Sequence, residues 1–179
     1  MQADNLDDTI RAAGVTGVPG VKTIYDWGGG AGGRLVKDRM WFYSAARTWG
    51  ATEYQPGIYF NKSPDPFHYV PDLTRKAYQD IHTWDVGGRL SWQASVKHKI
   101  TASYSRQNSC QCYVSVGATN APEAGSGSIY YEPMHLAQST WSYPASNRLL
   151  FDAGFSYLSQ PLTFLLDQPF PGAVGIREL

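Results

Sequence analysis

The chain has 179 residues in which 15 Lys and Arg balance 15 Asp and Glu, so no basic excess points to nucleic acid and no acidic excess to a cationic partner. Only 17% of residues are charged, whereas 14% are aromatic and 18 are glycine; rings suit a pleated surface, so strands and turns are favoured over a helical bundle. No run approaches the roughly 20 apolar residues of a membrane-crossing helix, and this leaves a membrane β-barrel open, because alternate residues alone supply its lipid face.

The first thirteen residues contain Asp4, Asp7 and Asp8 and lack both a basic start and an apolar stretch, so they do not read as a signal peptide. Residues 5–13 suit one or two helical turns, capped by Asp4 or Asn5 and stopped by Gly14. Residues 22–34 form the first predicted strand, whose second half, Gly28-Gly29-Gly30-Ala31-Gly32-Gly33, weakens pairing but permits close backbone approach. A phosphate-binding role for this run lacks the following Lys-Ser or Lys-Thr and helix. Residues 39–52 pair back across Lys37-Asp38-Arg39, and their opening Trp41-Phe42-Tyr43 sets rings on both faces.

The clearest strand is 80–94. His82, Trp84, Val86, Gly88, Leu90 and Trp92 face one way, and Thr83, Asp85, Gly87, Arg89 and Ser91 the other. That apolar stripe is long enough for the roughly 9–11 residues of a tilted membrane strand, with a Trp near each end. Strands 98–108 and 134–143 follow, and 148–158 sets Leu149, Phe151, Ala153 and Phe155 against Leu150, Asp152 and Gly154. The joins alternate. Lys37-Asp38-Arg39, Val96-Lys97-His98-Lys99 and Pro144-Ala145-Ser146-Asn147 are short, whereas 53–79, 109–133 and 159–179 are long. An up-and-down sheet sends every second connection to the same edge, so one edge is trimmed and the other elaborated, as in outer-membrane barrels with tight periplasmic turns and long outer loops. The expected fold is all-β, an antiparallel up-and-down meander of about six strands forming part of a transmembrane β-barrel. Six strands are too few to close one, since the smallest single-chain forms have about eight. The chain is therefore expected to be an internal piece of a larger protein, with any export signal outside it.

Gly32-Gly33-Arg34-Leu35-Val36-Lys37-Asp38-Arg39-Met40-Trp41-Phe42-Tyr43 resembles a hairpin of TonB-dependent outer-membrane receptors, particularly the Oar-like group with a carboxypeptidase-regulatory-like N-terminal domain. Arg89-Leu90-Ser91-Trp92-Gln93, the loop Asn108-Ser109-Cys110-Gln111-Cys112 with Ala121-Pro122-Glu123-Ala124, and Asn147-Arg148-Leu149-Leu150-Phe151 are similar to segments of the same group. The resemblance implies a bacterial outer-membrane location and a barrel of about 22 strands plugged by an N-terminal domain. It also implies uptake of a large scarce ligand such as a chelate, glycan or peptide, energised by a TonB complex that engages an N-terminal box. Neither box nor plug is recognisable in this sequence. Outer-membrane lipid is the expected surrounding, with Trp41, Trp84, Val86, Leu90, Trp92, Phe151 and Phe155 as the lipid-facing or girdle residues.

In the predicted loop 53–79, Tyr54, Tyr59, Phe60, Phe67 and Tyr69 alternate with prolines and are candidates for ligand contact, the alternative being that these rings pack on one another. Cys110 and Cys112 are the two cysteines; a disulfide between them, free thiols and partner pairing all remain open, and a zinc site finds no suitably spaced histidine. No Gly-x-Ser-x-Gly elbow or partnered nucleophile appears, and the scattered aspartates read as turn formers, so neither catalysis nor a cofactor is expected. The rival reading is a soluble secreted carbohydrate-binding or adhesive β-sandwich, in which Trp84, Val86, Leu90 and Trp92 would pack on a second sheet.

Overall fold

The computed structural model describes residues 7–14, 17–65, 68–117 and 127–166. A short helix, α1 (Asp8–Ala12), comes first. Asp7, rather than Asp4 or Asn5, caps it by accepting the Ile10 N–H at 2.8 Å, and Gly14 follows its end at φ 91°, a conformation that favours glycine.

Seven strands follow among the described residues: β1 (Gly20–Val36), β2 (Met40–Asn61), β3 (Pro71–Gln93), β4 (Lys99–Cys112), β5 (Gly127–Ser146), β6 (Leu149–Ser159) and β7 (Thr163–Leu166). β1 to β6 lie side by side in sequence order as one antiparallel meander, as the alternating pattern predicts. β7 pairs with β5 past the end of β6, so it continues that strand after an interruption at residues 160–162. Proline explains the gap, because Pro133 on β5 and Pro161 between β6 and β7 have no N–H to donate to a ladder.

The three short joins gather at one end of the sheet, as expected. At the first, the Arg39 N–H donates to the Val36 carbonyl at 3.2 Å while Asp38 takes φ 57°. Asp tolerates this left-handed conformation better than most residues. The last join is Asn147-Arg148, since β5 runs through the expected turn residues Pro144 to Ser146.

At the other end the expected loops need correction, because much of 53–79 and 109–133 is ladder. β2 and β3 extend to Asn61 and from Pro71, and β4 reaches Cys112 before β5 begins at Gly127. The sequence conceals this because pairing slips between Tyr54 and Tyr59, where Pro56 lacks an N–H and Gly57 adopts φ 72°; the bulge shifts the two-residue period out of phase. Within the expected loop 159–179, residues 163–166 are β7 and those from 167 onward lie outside the described residues.

Among the described residues no second layer covers either face of the sheet. The few buried side chains, Ala77, Thr83, Cys110, Cys112, Val116 and Ser128, sit toward the end with the longer connections. β3 alone has 23 residues, against about 5–6 for a common strand. The glycine run of β1 also has a packing role. A Cβ on Gly30 would come within 2.5 Å of the Tyr43 Oη and one on Gly32 within 3.0 Å of its ring, so the two glycines make a floor for that side chain.

Candidate functional site

Residues opposite one another in a ladder share a face, so the register sorts every strand residue onto one side of the sheet or the other. Phe42 pairs with Leu90, Leu90 with Ala102, Ala102 with Ser139 and Ser139 with Phe155. The same face carries Trp27, Trp84, Val86, Trp92, Ile100, Tyr104, Trp141, Tyr143, Leu149, Phe151 and Tyr157. Most are openly exposed, with Trp27 at 72% and Phe155 at 63%. At the short-turn end a row of rings closes this face: His98 stacks on Tyr143 at 4.5 Å and accepts the Trp141 indole N–H at 3.0 Å, and Tyr143 lies 6.3 Å from Phe151.

One expected girdle residue is misplaced. Trp41 pairs with Ser91 and so lies on the opposite, polar face, while Phe42 shares the face of Leu90. In three successive aromatics only the register decides which ring points which way. Arg106 stands in the middle of the apolar face, and it lays its guanidinium 5.7 Å from the centre of the Trp84 ring. Such a long side chain covers apolar surface with its stem while its head reaches along the strand.

The apolar band does not run straight across the strands. Tyr157 on β6 stands in the same cross-strand row as Ala31 on β1, whereas the uppermost large ring of β1 on this face that is fully open is Trp27, four residues higher (31 − 27). At the lower border, Val36 on β1 is in the row of Ala153, whereas the band on β6 descends to Leu149, four residues lower (153 − 149). A shift of four residues at about 3.3 Å each, over five strand steps of about 4.8 Å, is a slant of roughly 30°.

The opposite face is polar over much of its area. Asp26, Arg47, Asp85 and Arg89 lie on it, with the Arg47 Nε–H donating to Asp26 Oδ1 at 2.9 Å. A groove of about 370 Å³ hollows this face beside Arg89, Thr101, Ser103, Gln138 and Thr140. Leu136, Leu150 and Leu158 also lie here, so its β5–β6 margin is less polar.

At the far end, the paired extensions of β2 and β3 bring cations onto rings. Lys22 Nζ lies 3.8 Å from the centre of the Tyr78 ring and Lys76 Nζ 5.9 Å from that of Tyr54, while the Arg75 guanidinium is 4.6 Å from that of Phe60. A cleft of about 350 Å³ opens among Lys22, Tyr54, Phe60, Arg75, Lys76 and Tyr78. A second, of about 220 Å³, is lined by Tyr54, Tyr59 and Lys76 among others. Of the expected ligand residues, Tyr54, Tyr59 and Phe60 thus line open clefts. Tyr69 instead donates its hydroxyl to the Tyr59 carbonyl at 2.9 Å, and Phe67 lies outside the described residues. Sequence reasoning missed Lys22, Arg75 and Lys76, because their contact with the rings exists only through the β1–β2–β3 pairing. Close by, Asp72 accepts the Thr74 hydroxyl at 2.6 Å and its N–H at 3.0 Å, and these bonds hold its carboxyl below the usual range.

No protein-family model, curated protein or solved structure matches this chain.

Cys110 and Cys112 are joined as a disulfide, and they lie in the last turns of the β4 ladder rather than in a loop. Cys110 pairs with His82 and Cys112 with Asp80 across β3–β4. His82 Nδ1 lies 2.8 Å from Asp80 Oδ2, and Thr52 Oγ1 donates to Asp80 Oδ1 at 2.6 Å. The histidine that sequence spacing failed to supply is thus brought to the cysteines by register.

Proposed function

We propose that this chain contributes wall and ligand-recognition loops to a TonB-dependent receptor of the bacterial outer membrane, one that transports a large scarce ligand. The observation that carries the reading is the uncovered apolar face. A face bearing Trp27, Val86, Leu90, Ile100, Phe151 and Phe155 needs an apolar neighbour. Among the described residues no second sheet supplies one, which weighs against the secreted sandwich. Lipid fits this face better than a globular partner. Rings edge the band, the opposite face is polar and grooved, and the slant of roughly 30° approaches the roughly 35–45° tilt of outer-membrane strands. The glycine-rich hairpin from Gly32 to Tyr43 resembles that of the receptor family.

In this reading Arg47, Asp85 and Arg89 border the ligand path, and the short joins face the periplasm. The clefts at Lys22, Tyr54, Phe60, Arg75 and Lys76 open outward, where cations and ring faces suit an anionic or flat ligand surface, whether of a chelate, a glycan or a peptide. Coupling to a TonB complex belongs to an N-terminal box of the full-length receptor.

Substituting Leu90→Arg and Ser91→Arg separately in the full-length protein tests the reading, because these neighbours point to opposite faces. Leu90→Arg is expected to cost about 2–4 kcal/mol of folding stability in lipid, and Ser91→Arg much less. Equal tolerance of the two arginines would refute a lipid-facing surface.

A further inference from the structure

We propose that His82, Cys110 and Cys112 form a zinc site that is closed while the cysteines are oxidised and opens when a dithiol reductant reduces them, with Asp80 positioning the histidine. A ring nitrogen of His82 and both sulfurs lie within 4.8 Å of one another. Zn–S and Zn–N bonds of about 2.3 and 2.0–2.1 Å place tetrahedral ligand atoms roughly 3.3–3.8 Å apart, so small side-chain movements suffice once the sulfurs separate. Two thiolates and one imidazole satisfy three positions of a tetrahedral ion, and water completes the fourth. Asp80 holds Nδ1 and leaves Nε2 as the free ligand atom, the carboxylate–histidine arrangement that orients zinc ligands elsewhere. Thr52 in turn fixes Asp80. The His82 side chain is 44% exposed, which gives an ion and a small dithiol a way in beside Cys110 and Cys112, themselves 1% and 8% exposed.

The sequence separation of two makes this disulfide a poor structural staple, since so small a ring removes little chain entropy from the unfolded state. β4 is held on both sides by the β3 and β5 ladders, so opening the bond leaves the sheet in place. In the opening step, a dithiol reductant breaks the Cys110–Cys112 bond by thiol–disulfide exchange. Its two electrons and two protons pass to the cysteines as it becomes a cyclic disulfide. Zinc binding then displaces both thiol protons to solvent. The cluster is formed by β3–β4 pairing alone, so the inference stands whether or not the apolar face meets lipid.

The test uses the intact protein, reduced with dithiothreitol, freed of reductant without oxygen, and titrated with zinc against a chromogenic chelator. A parallel cobalt titration reads thiolate ligation by its near-ultraviolet charge-transfer band. The expected result is one zinc per chain in the reduced form and none in the oxidised form. Asp80→Asn is expected to weaken binding about 10- to 100-fold. His82→Gln should lose both the tight binding and the native cobalt spectrum. It retains both cysteines, so it decides the matter even if a Cys110→Ser, Cys112→Ser double variant fails to fold. Absence of stoichiometric zinc in the reduced protein, equal binding by the oxidised protein, or unchanged affinity in His82→Gln would overturn the site. Unchanged affinity in Asp80→Asn would overturn the positioning role.

Discussion

Gly50 on β2 is buried beneath Tyr25, and a Cβ there would stand 2.8 Å from both the Ile81 carbonyl oxygen and the Tyr25 hydroxyl. The backbone oxygen cannot swing aside as a flexible side chain can. Gly50→Ala is therefore expected to cost about 1–3 kcal/mol, read as a lower denaturant midpoint. Asp72 makes a prediction in pH. Its folded carboxyl is held below the ordinary range, so its contribution is complete above the unfolded pKa and disappears as pH falls through the folded one. Acidification below the usual carboxylate range should loosen the start of β3 at Thr74, seen as a shift of that amide resonance, and Asp72→Asn should abolish the acid-dependent part. At this scale the sequence is least explicit. Nothing in the spacing of His82 and Cys110 announces their contact, which depends on strands β3 and β4 being aligned without slippage.

The strands are the more legible level. Period two marks β3, β4 and β6 most clearly, and the short joins are set by polar residues between the strands. What stays hidden is how far the ladders extend, because Pro56, Gly57 and Pro133 interrupt the period without ending the pairing. The Lys37-Asp38-Arg39 join offers a sharp test of turn chemistry. Asp38 occupies a left-handed conformation, so Asp38→Val should lose about 1–2 kcal/mol, whereas Asp38→Gly should be tolerated; thermal melts of the two variants distinguish them. The Asp26–Arg47 pair is exposed at both ends, so water and salt screen it, and Asp26→Asn is expected to leave the melting midpoint close to that of the parent protein.

For the whole molecule, the decisive property is which face the six tryptophans occupy. Trp27, Trp84, Trp92 and Trp141 lie on the apolar face, whereas Trp41 and Trp49 lie on the polar one. In single-tryptophan variants of the full-length protein reconstituted with brominated phospholipid, the first four should be quenched and the last two spared. Quenching of Trp41 and Trp49 to the same extent would contradict the face assignment or the lipid reading. Meander order was readable from the alternation of short and long joins, but the slant of the apolar band was not, since it emerges only when the registers of all six strands are combined. The glycine-bearing strand β1 stands at one margin of the meander, paired among the described residues with β2 on one side. In an antiparallel margin strand the amides point alternately toward and away from the neighbour. Hydrogen exchange along β1 should therefore follow a two-residue rhythm of slow and fast sites while that margin is bare. A strand docking there would silence the fast sites, so the rhythm would serve as a clock for any closing of the sheet.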